Sequence, residues 1–241
     1  MELSYSIIVP VHNGERIINE TIFRLCDKLE NHSLNIDSYE IIIIENGSID
    51  DTQSVLSSYK NNKNIKILTL EIGDLGLAIR KGIECASYER LIYLPADLSY
   101  NESFINKAIE NMDTFRVVYG SKFITGAISN RSKLREVLSF GFNILSKILF
   151  NFKIKDTQGV KAFFRSDFYE TTKFFPKGFL WDIGFCHVQR EKNLSWVEVP
   201  CDVYDNEKTS TLNKFRTTIK MFLGLISYRF SKNYRLIKKL S

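Results

Sequence analysis

The sequence predicts an α/β domain with a mixed, mainly parallel sheet, because two periodicities alternate along its first half. Short apolar runs rich in Ile, Val and Tyr have the composition of buried strands, and they cover residues 5–11, 39–45, 65–70 and 90–94. Between them, apolar residues recur at steps of three and four, which is the spacing of one helix face. Strands that alternate with helices predict crossover connections between parallel strands.

The second half is less regular, but its elements are still readable. We predict a strand over residues 117–121, an amphipathic helix from about 131 to 150, and a last strand over 195–199 that ends at Pro200. No internal repeat, low-complexity stretch or linker divides the chain. One compact domain over residues 1–207, followed by a C-terminal segment, is therefore expected.

The composition limits the class of protein. The 241 residues are 44% hydrophobic and 25% charged, which is enough for one substantial core. The four cysteines are widely spaced and form no C-x-x-C motif, so we expect reduced, packed thiols in a cytosolic chain. No signal peptide is visible, and no apolar run approaches the roughly 18 residues that span a bilayer. The protein is expected to lie on a membrane without crossing it.

Positive charge is concentrated at the C-terminus. Residues 208–241 contain nine Lys or Arg and no Asp or Glu, so the positive charge of this segment exceeds the net charge of the whole chain, which is +5. Apolar residues also recur there at steps of three and four: Leu212, Phe215, Ile219, Phe222 and Ile226. The pattern predicts a basic amphipathic helix over 208–241, which either lies on an anionic membrane surface or closes the core with its basic residues in solvent.

Polar segments follow three of the predicted strands: VHNGE at 11–15, ENGS at 45–48 and PADLS at 95–99. In open α/β sheets, ligands bind beyond the carboxyl ends of the strands. These segments are therefore where the chemistry is expected.

Eight sequence blocks occur in the order seen in one enzyme family. The first four are SIIVPVHNGE (6–15), IIIIENGSIDDT (41–52), GLAIRKGIECA (76–86) and YLPADLSY (93–100). The others are YGSKF (119–123), DTQGVKAFFRSD (156–167), GFLWDIGF (178–185) and WVEVP (196–200). Together they resemble glycosyltransferase family 2, and within it dolichol-phosphate mannosyltransferases and related polyprenyl-phosphate glycosyltransferases. The resemblance implies a GT-A-like fold of Rossmann character, with a nucleotide-sugar-binding half at 1–121 and an acceptor-side half at 122–207.

The resemblance also implies which residues face the donor. Glu45 and Asn46 replace two aspartates that hold the base and ribose in the family, and the alternative for this segment is an ordinary turn. Arg80 matches an arginine near the phosphates. The alternative for Arg80 is a solvated cation on the helix surface. The implied nucleotide-binding set is Pro10, His12, Asn13, Glu45, Asn46, Gly76, Arg80, Ala96 and Asp97.

A divalent cation, Mg²⁺ or Mn²⁺, is implied at the PADLS block. There Asp97 and Ser99 match the family's metal-binding residues, but Pro95 stands where the family has a first carboxylate. One carboxylate together with two phosphates and waters can still hold Mg²⁺. We therefore expect an active enzyme with an altered metal site.

The acceptor site is implied by the second-half blocks. Lys122 stands where the lipid-directed enzymes have arginine, and Arg135, Ser139 and Asn143 keep their four-residue spacing on one helix face. A buried helix contact is the alternative for Ser139 and Asn143. Gly184 replaces a glutamate of the family. The implied acceptor set is Lys122, Arg135, Ser139, Asn143, Asp156, Gln158 and Asp182, and the implied catalytic residues are Asp97, Lys122 and Arg135.

The implied reaction is the inverting transfer of a hexose from a GDP- or UDP-linked sugar to a polyprenyl (dolichyl-type) phosphate. Three alternatives remain: transfer to a glycan hydroxyl, a degenerate nucleotide-sugar-binding protein, and a nucleic-acid-binding module. The last rests only on the charge of the tail and lacks any matching motif, so no nucleic acid is expected as a partner. We expect a peripheral protein on the cytoplasmic face of an anionic membrane, with a membrane protein as a further potential partner.

Overall fold

A computed structural model describes residues 3–30, 34–204 and 214–240, with side chains described from residue 220 in the last range. The strands are β1 Ser4–Val11, β2 Ser38–Asn46, β3 Ile65–Leu70, β4 Arg90–Tyr93, β5 Val117–Ser121, β6 Ser129–Asn130, β7 Val160–Phe164, β8 Trp196–Pro200 and β9 Val203–Tyr204. The α-helices are α1 Ile18–Glu30, α2 Thr52–Ser57, α3 Leu75–Cys85, α4 Phe104–Asn111, α5 Lys133–Phe150, α6 Arg165–Phe168, α7 Trp181–Glu191, α8 Lys214–Phe230 and α9 Lys232–Leu240. Short 3₁₀ turns at Thr172–Phe174 and Gly178–Leu180 precede α7.

Seven strands form one sheet in the order β3-β2-β1-β4-β7-β5-β8. Strands β3, β2, β1 and β4 are parallel, as predicted, whereas β7 is antiparallel to both β4 and β5. The sequence analysis did not identify β7 as a strand. Because β7 runs backwards, its amino end lies at the same edge of the sheet as the carboxyl ends of β4 and β5.

The continuous apolar runs of the strands are explained by two cores, one on each face of the sheet. Successive side chains of a strand point to opposite faces. Ile7 and Ile41 therefore contact one core, which α1 and α4 cover, while Ile8 and Ile42 contact the other, which α3 and α7 cover. The mainly parallel α/β sheet that the sequence predicts is confirmed.

The C-terminal segment forms two helices instead of the single helix predicted, with a break at Ser231 between α8 and α9. Their buried residues are Leu225, Tyr228, Tyr234 and Ile237, which belong to the second core. Of the predicted stripe, Phe222 is half-buried and Ile226 is 46% exposed, and the side chains of the other three positions lie outside the described residues. No helix in the described part of the chain is long and apolar enough to cross a bilayer.

His187 on α7 holds the C-terminal helices against the core as a neutral side chain. Its ring stacks on Tyr234 with centroids 4.2 Å apart, and Nδ1 lies 3.2 Å from the hydroxyl of Tyr228. Nε2 lies 3.6 Å from a carboxylate oxygen of Glu191. Burial, and to a smaller extent three nearby cations, lower the pKa of His187 to about 3: Arg190, Arg229 and Lys238.

We predict that acid weakens the fold through His187. The unfolded chain binds a proton near the ordinary pKa of 6.5, while the folded chain excludes it until about pH 3. The contribution of neutral His187 to the free energy of unfolding is therefore fully present above pH 6.5. Below that pH it falls by about 1.4 kcal/mol per pH unit. Thermal unfolding between pH 7 and pH 5 should show this slope in the native chain and a flatter profile in His187→Gln. Parallel profiles in the two proteins would contradict the assignment.

Candidate active site

The ends of five strands bring the predicted site residues to one edge of the sheet. His12 and Asn13 follow β1, Asn46 ends β2, Asp97 follows β4, and Lys122 follows β5. Asp156 and Gln158 precede the antiparallel β7 and reach the same edge. These residues therefore lie beyond the carboxyl ends of the parallel strands, where the sequence analysis expected the site.

A cleft of about 530 Å³ opens between β1, β2 and the start of α3. Its lining includes Pro10, His12 and Asn46 from the predicted donor set, together with Lys177 and Phe179, which the sequence analysis did not single out. His12 Nδ1 lies 2.9 Å from the backbone oxygen of Asn46. The cleft thus has an apolar wall and a few polar groups, as nucleotide-binding clefts do.

Asp74 connects three parts of this cleft. Its backbone N–H donates to Asn46 Oδ1 at 2.9 Å, so the amide of Asn46 is used within the protein. Its carboxylate oxygen Oδ1 accepts from Leu77 N at 3.0 Å, which caps α3, and from Gly178 N at 2.9 Å. Gly76 allows this approach, because a Cβ atom there would lie 2.9 Å from Pro176 O. Gly76 therefore contacts the protein loop at 176–178.

Hydrogen bonds join the turn after β1 to the turn after β2. Asn13 Oδ1 accepts from Ile49 N at 2.9 Å, and the backbone N–H of Asn13 donates to Ser48 Oγ at 3.0 Å. Glu45 is 3% exposed and accepts from Ser48 N at 2.6 Å. Gly47 adopts φ +65°, and a Cβ atom there would lie 2.7 Å from Gly73 N. The structure therefore gives Glu45 a role in the turn, and its predicted contact with the base stays a prediction.

Arg80 is placed on the surface of α3. Its Nε lies 2.7 Å from a carboxylate oxygen of Glu84, one helical turn away, and its side chain is 40% exposed. Arg80 is not one of the residues that line the described cleft. This arrangement corresponds to the alternative stated for Arg80, and its predicted contact with the phosphates is not tested by the structure.

The PADLS segment forms a tight turn that presents Asp97. Leu98 adopts φ +45° and donates its N–H to Pro95 O at 3.0 Å, while Asp97 Oδ1 accepts from Ser99 N at 3.0 Å. The carbonyl oxygen of Ala96 accepts from Thr21 Oγ1 at 2.5 Å, so Ala96 is held within the fold. Asp97 is half-buried at the edge of the sheet.

The residues around Asp97 fit a divalent cation only together with the ligand's own oxygens. Among residues 3–30, 34–204 and 214–240, no group of three or more His, Cys, Asp or Glu could hold a metal ion. Pro95 supplies no side-chain ligand, which leaves Asp97 and the hydroxyl of Ser99. This donor set suits Mg²⁺, which commonly binds through one or two carboxylates plus phosphates.

Lys122 and Asp156 form a buried ion pair. Lys122 Nζ lies 2.9 and 3.0 Å from the two carboxylate oxygens of Asp156, and 3.2 Å from the hydroxyl of Tyr100. Burial raises the pKa of Asp156, but Lys122 outweighs it and holds that pKa below its ordinary value. Burial lowers the pKa of Lys122, and this effect exceeds the opposite effect of the Asp156 carboxylate. The pair is neutral as a unit, so the predicted grip of Lys122 on an acceptor phosphate remains untested.

A second buried pair joins Lys161 on β7 to Asp182 at the start of α7. Lys161 Nζ donates to Asp182 Oδ1 and to Gly159 O, and it lies 4.8 Å from the centroid of the Trp181 ring. Burial raises the pKa of Asp182 to about 6, although Lys161 lowers it. The sequence analysis missed Lys161. The available signal was a lone lysine within the apolar run VKAFF of a block that also contains Asp156.

The helix face at 135, 139 and 143 contains three different environments. Asn143 is 2% exposed, and its Oδ1 accepts from both N and Oγ1 of Thr157 at 2.8 Å. The buried Ser139 Oγ lacks a hydrogen-bond partner among the described residues. Arg135 is half-buried, and its pKa is lowered by burial and by Arg131 and raised by Asp97. Asn143 thus supports the loop at 156–158, where Gln158 is half-buried.

Arg135, in the first turn of α5, lies close enough to both Asp97 and Arg131 to interact electrostatically. The pKa of Arg135 responds to both Arg131 and Asp97, and the Arg131 guanidinium lies 5.7 Å from the centroid of the Tyr100 ring. Two adjacent cations opposite a carboxylate can hold an anion that a carboxylate-bound cation also contacts. Arg131 joins Arg135 as a candidate for anion binding.

A separate pocket of about 360 Å³ lies on the acceptor side. It is lined by Lys122, Phe123, Ser129, Glu136, Val137 and Phe140. Lys122 Nζ lies 4.5 Å from the centroid of the Phe123 ring, and the Phe123 and Phe140 rings are 6.4 Å apart. The pocket is therefore mainly apolar, with two residues of opposite charge, Lys122 and Glu136, in its lining.

Solved structures share this fold. Glucosyl-3-phosphoglycerate synthase from Mycobacterium tuberculosis superposes with a TM-score of 0.67 at 13% identity, covering 94% of this chain and 79% of the synthase. TarS from S. aureus superposes with a TM-score of 0.58, covering 99% of this chain and 69% of the TarS chain. The synthase has been crystallised with UDP and Mn²⁺ or Mg²⁺, and TarS with UDP-GlcNAc. The fold is therefore of the GT-A type.

The chain belongs to glycosyl transferase family 2, whose model matches residues 6–172. A dolichyl-phosphate beta-glucosyltransferase from Dictyostelium discoideum is 29% identical over 93% of this chain and 73% of its own length. The Drosophila melanogaster protein of the same name is 28% identical over 68% of this chain and 55% of its own length. The family resemblance stated from the sequence is confirmed, and the chain is a glycosyltransferase.

We predict that Lys161→Met lowers the free energy of unfolding by about 3–5 kcal/mol, because it leaves Asp182 buried without a partner. The double change Lys161→Met/Asp182→Asn removes both charges and should recover part of that loss. Chemical denaturation of the three proteins measures both effects. A loss below about 1 kcal/mol in the single variant would show that the pair is not a buried ion pair in solution.

Proposed function

We propose that this enzyme transfers a hexose from a nucleotide sugar to the phosphate of a polyprenyl lipid with inversion at the anomeric carbon. The observation that carries the proposal is that α5 combines Arg135, which is close enough to Asp97 to interact electrostatically, with Val137 and Phe140 in the lining of the apolar pocket. An anionic acceptor with an apolar chain matches both features. The two dolichyl-phosphate beta-glucosyltransferases named above support the same class of acceptor.

The proposed acceptor needs no dedicated catalytic base. A phosphate monoester has a second pKa of about 6 and is already anionic at neutral pH, whereas a sugar hydroxyl must lose a proton. Asp182 is buried and paired with Lys161, and Asp156 is paired with Lys122. The absence of a glutamate at Gly184 is then compatible with turnover. Arg131 and Arg135 hold the attacking phosphate, and binding in this orientation supplies much of the catalysis.

We place the donor diphosphate beside Asp97. With a bound Mg²⁺ or Mn²⁺, the metal would neutralise the charge that develops on the leaving nucleotide. Asp97 and Ser99 are the residues that would hold the cation, together with the donor's phosphates. His12, Asn46 and the loop at 177–179 enclose the nucleoside end. The solved neighbours that contain UDP and a divalent cation support this assignment.

The membrane location follows from the acceptor. A polyprenyl phosphate resides in a bilayer, and the C-terminal helices combine basic residues with the absence of any Asp or Glu from 214 to 240. We place the enzyme on the cytoplasmic face, where the reduced cysteines Cys26, Cys85, Cys186 and Cys201 also fit. A membrane protein that presents the lipid is a further proposed partner.

One observation favours a second candidate, a nucleotide-sugar-binding protein without turnover. Pro95 removes a carboxylate from the metal site, and the described residues contain no three-ligand group. Under this alternative, calorimetry detects binding of a nucleotide sugar although no sugar is transferred to any acceptor. Transfer to a glycan hydroxyl, in contrast, would require a carboxylate base outside the two buried pairs.

The proposal is tested by a donor screen with a membrane lipid extract and Mg²⁺ or Mn²⁺, in which labelled sugar is followed into the organic phase. Asp97→Asn should abolish transfer while the thermal unfolding profile stays unchanged, because Asp97 is the carboxylate of the PADLS turn. Pro95→Asp should lower the cation concentration that gives half-maximal activity. Transfer that persists in Asp97→Asn would remove Asp97 from the mechanism.

Arg135→Ala should raise the KM for the lipid phosphate by about tenfold or more, and change the KM for the nucleotide sugar much less. A charge-assisted contact with phosphate of about 1.5–3 kcal/mol supports this magnitude. Arg24→Ala serves as a matched control, because Arg24 is another helix arginine, pairs with Glu102 and belongs to neither predicted site. Equal effects of Arg135→Ala on both substrates would place Arg135 at the donor.

A further inference from the structure

The outer face of α5 is apolar although it is exposed. Five large side chains on it are between 41% and 74% exposed: Leu134, Val137, Phe140, Ile144 and Ile148. They recur at steps of three and four, so they form one stripe. Ser139, Phe142, Ser146 and Phe150 on the opposite side of the helix are buried. The outer side of α5 is therefore apolar, whereas the side that faces the core combines Phe142 and Phe150 with buried Ser and Asn side chains.

Helix α8 carries a similar stripe beside α5. Leu223, Ile226 and Phe230 are 63%, 46% and 75% exposed, while Leu225 and Tyr228 on the other side are buried. The exposed side of α8 is thus apolar as well. The two stripes together are called the α5–α8 apolar face, and they hold eight of the seventeen large exposed hydrophobic residues in the described part of the chain.

Direct contacts place α8 beside the stripe of α5, because a Cβ atom on Gly141, which shares a helix side with Leu134 and Ile148, would lie 3.9 Å from Phe222 Cζ. The ring of Phe222 on α8 lies 5.8 Å from that of Phe142 on α5, and Arg229 Nε donates to Leu149 O at 3.0 Å. Ile226 lies between Phe222 and Arg229 at helical spacing, so it is on the side of α8 that meets α5. The α5–α8 apolar face is therefore one continuous surface.

Basic residues outnumber acidic ones beside this face, where α5 contributes one carboxylate, Glu136. Lys133 and Lys147 flank the stripe on α5, and Lys220 and Arg229 lie on α8. Helices α8 and α9 contain no Asp or Glu, and α9 exposes four more basic residues: Lys232, Arg235, Lys238 and Lys239. An apolar surface with a cationic border complements the acyl chains and anionic headgroups of a bilayer. A second copy of the chain would bring two cationic borders together, which is unfavourable.

The acceptor pocket opens at the same face. Val137 and Phe140 belong to the stripe of α5 and also line the pocket that contains Lys122. A lipid whose chain lies in the bilayer can reach this pocket from the apolar face with its phosphate directed inward. The surface and the pocket are thus continuous.

We propose that the α5–α8 apolar face inserts into the interface of an anionic bilayer and holds the pocket entrance at the level of the headgroups. The exposed apolar residues provide the insertion, and the basic residues of α9 add salt-sensitive attraction. The orientation rests on the proposed function, because it assigns the pocket to the lipid acceptor. The insertion itself does not depend on the reaction.

The test is co-sedimentation of the full chain with vesicles of equal parts phosphatidylcholine and phosphatidylglycerol, without donor or acceptor. Ile148→Gln/Phe230→Gln should lower the partition coefficient by about tenfold or more, since two large apolar side chains no longer leave water. Phe23→Gln/Ile72→Gln is the matched control, because both residues are more than 70% exposed on other elements. The control should bind within about twofold of the native chain.

The salt dependence of vesicle binding separates the contribution of the basic residues from that of the apolar residues. Changing Lys232, Arg235, Lys238 and Lys239 to Gln should weaken binding at low salt and make little difference at high salt, where the apolar term remains. If the α5–α8 double variant binds like the native chain, or the control loses as much binding, the proposal is overturned. Size-exclusion chromatography that shows a dimer lost only in the double variant would identify a second copy as the occupant instead.

A second measurement remains informative if a double variant fails to fold. Ile148→Trp should show a blue-shifted emission on vesicles and quenching by brominated acyl chains, whereas Phe23→Trp should show neither. Absence of both effects at Ile148 would overturn the insertion. Since the enzyme need not turn over, this outcome is independent of the transfer assay, and failure of transfer would leave the membrane result intact.

Discussion

The buried Lys122–Asp156 ion pair is the interaction on which the geometry of this site depends. It joins the end of β5 to the segment before β7, and Tyr100, which follows β4, donates to the same carboxylate at 3.2 Å. Loss of one partner would leave an uncompensated charge in the interior, which is strongly unfavourable. Glu198 on β8 reinforces the arrangement, because it accepts from the backbone N–H groups of Lys155 and Asp156. Three strand ends are thereby fixed relative to one another.

This constraint explains why several polar residues of the site act as scaffold. Asn143 holds Thr157, Glu45 holds the turn at 48, and Lys161 holds Asp182, so their polar atoms are already used within the protein. Asp97, Arg131 and Arg135 lie at the half-buried edge, where a ligand can approach. The site consists of a few accessible charges on a support of buried, paired groups, and such support keeps catalytic geometry fixed.

The parts of the fold that follow from periodicity were predictable, because the alternation of strand and helix in the first half depends on local apolar spacing. The family motifs likewise located the edge of the sheet at which Asp97 and Asn46 lie. The antiparallel β7 was not predictable, because Lys161 interrupts its apolar run and its burial depends on Asp182, which is distant in sequence. The break at Ser231 was also missed, since the apolar spacing alone does not show which residues of α8 and α9 meet the core.

The carboxylate of Asp74 joins the start of α3 to the loop at 176–178. One oxygen accepts from Leu77 N, which caps the helix, and from Gly178 N, which holds the loop. Part of the conformational entropy of the loop backbone is therefore lost when the protein folds, before any ligand arrives. A ligand that enters the cleft orders the exposed side chains of Lys177 and Phe179, but it does not have to fix the backbone at Gly178.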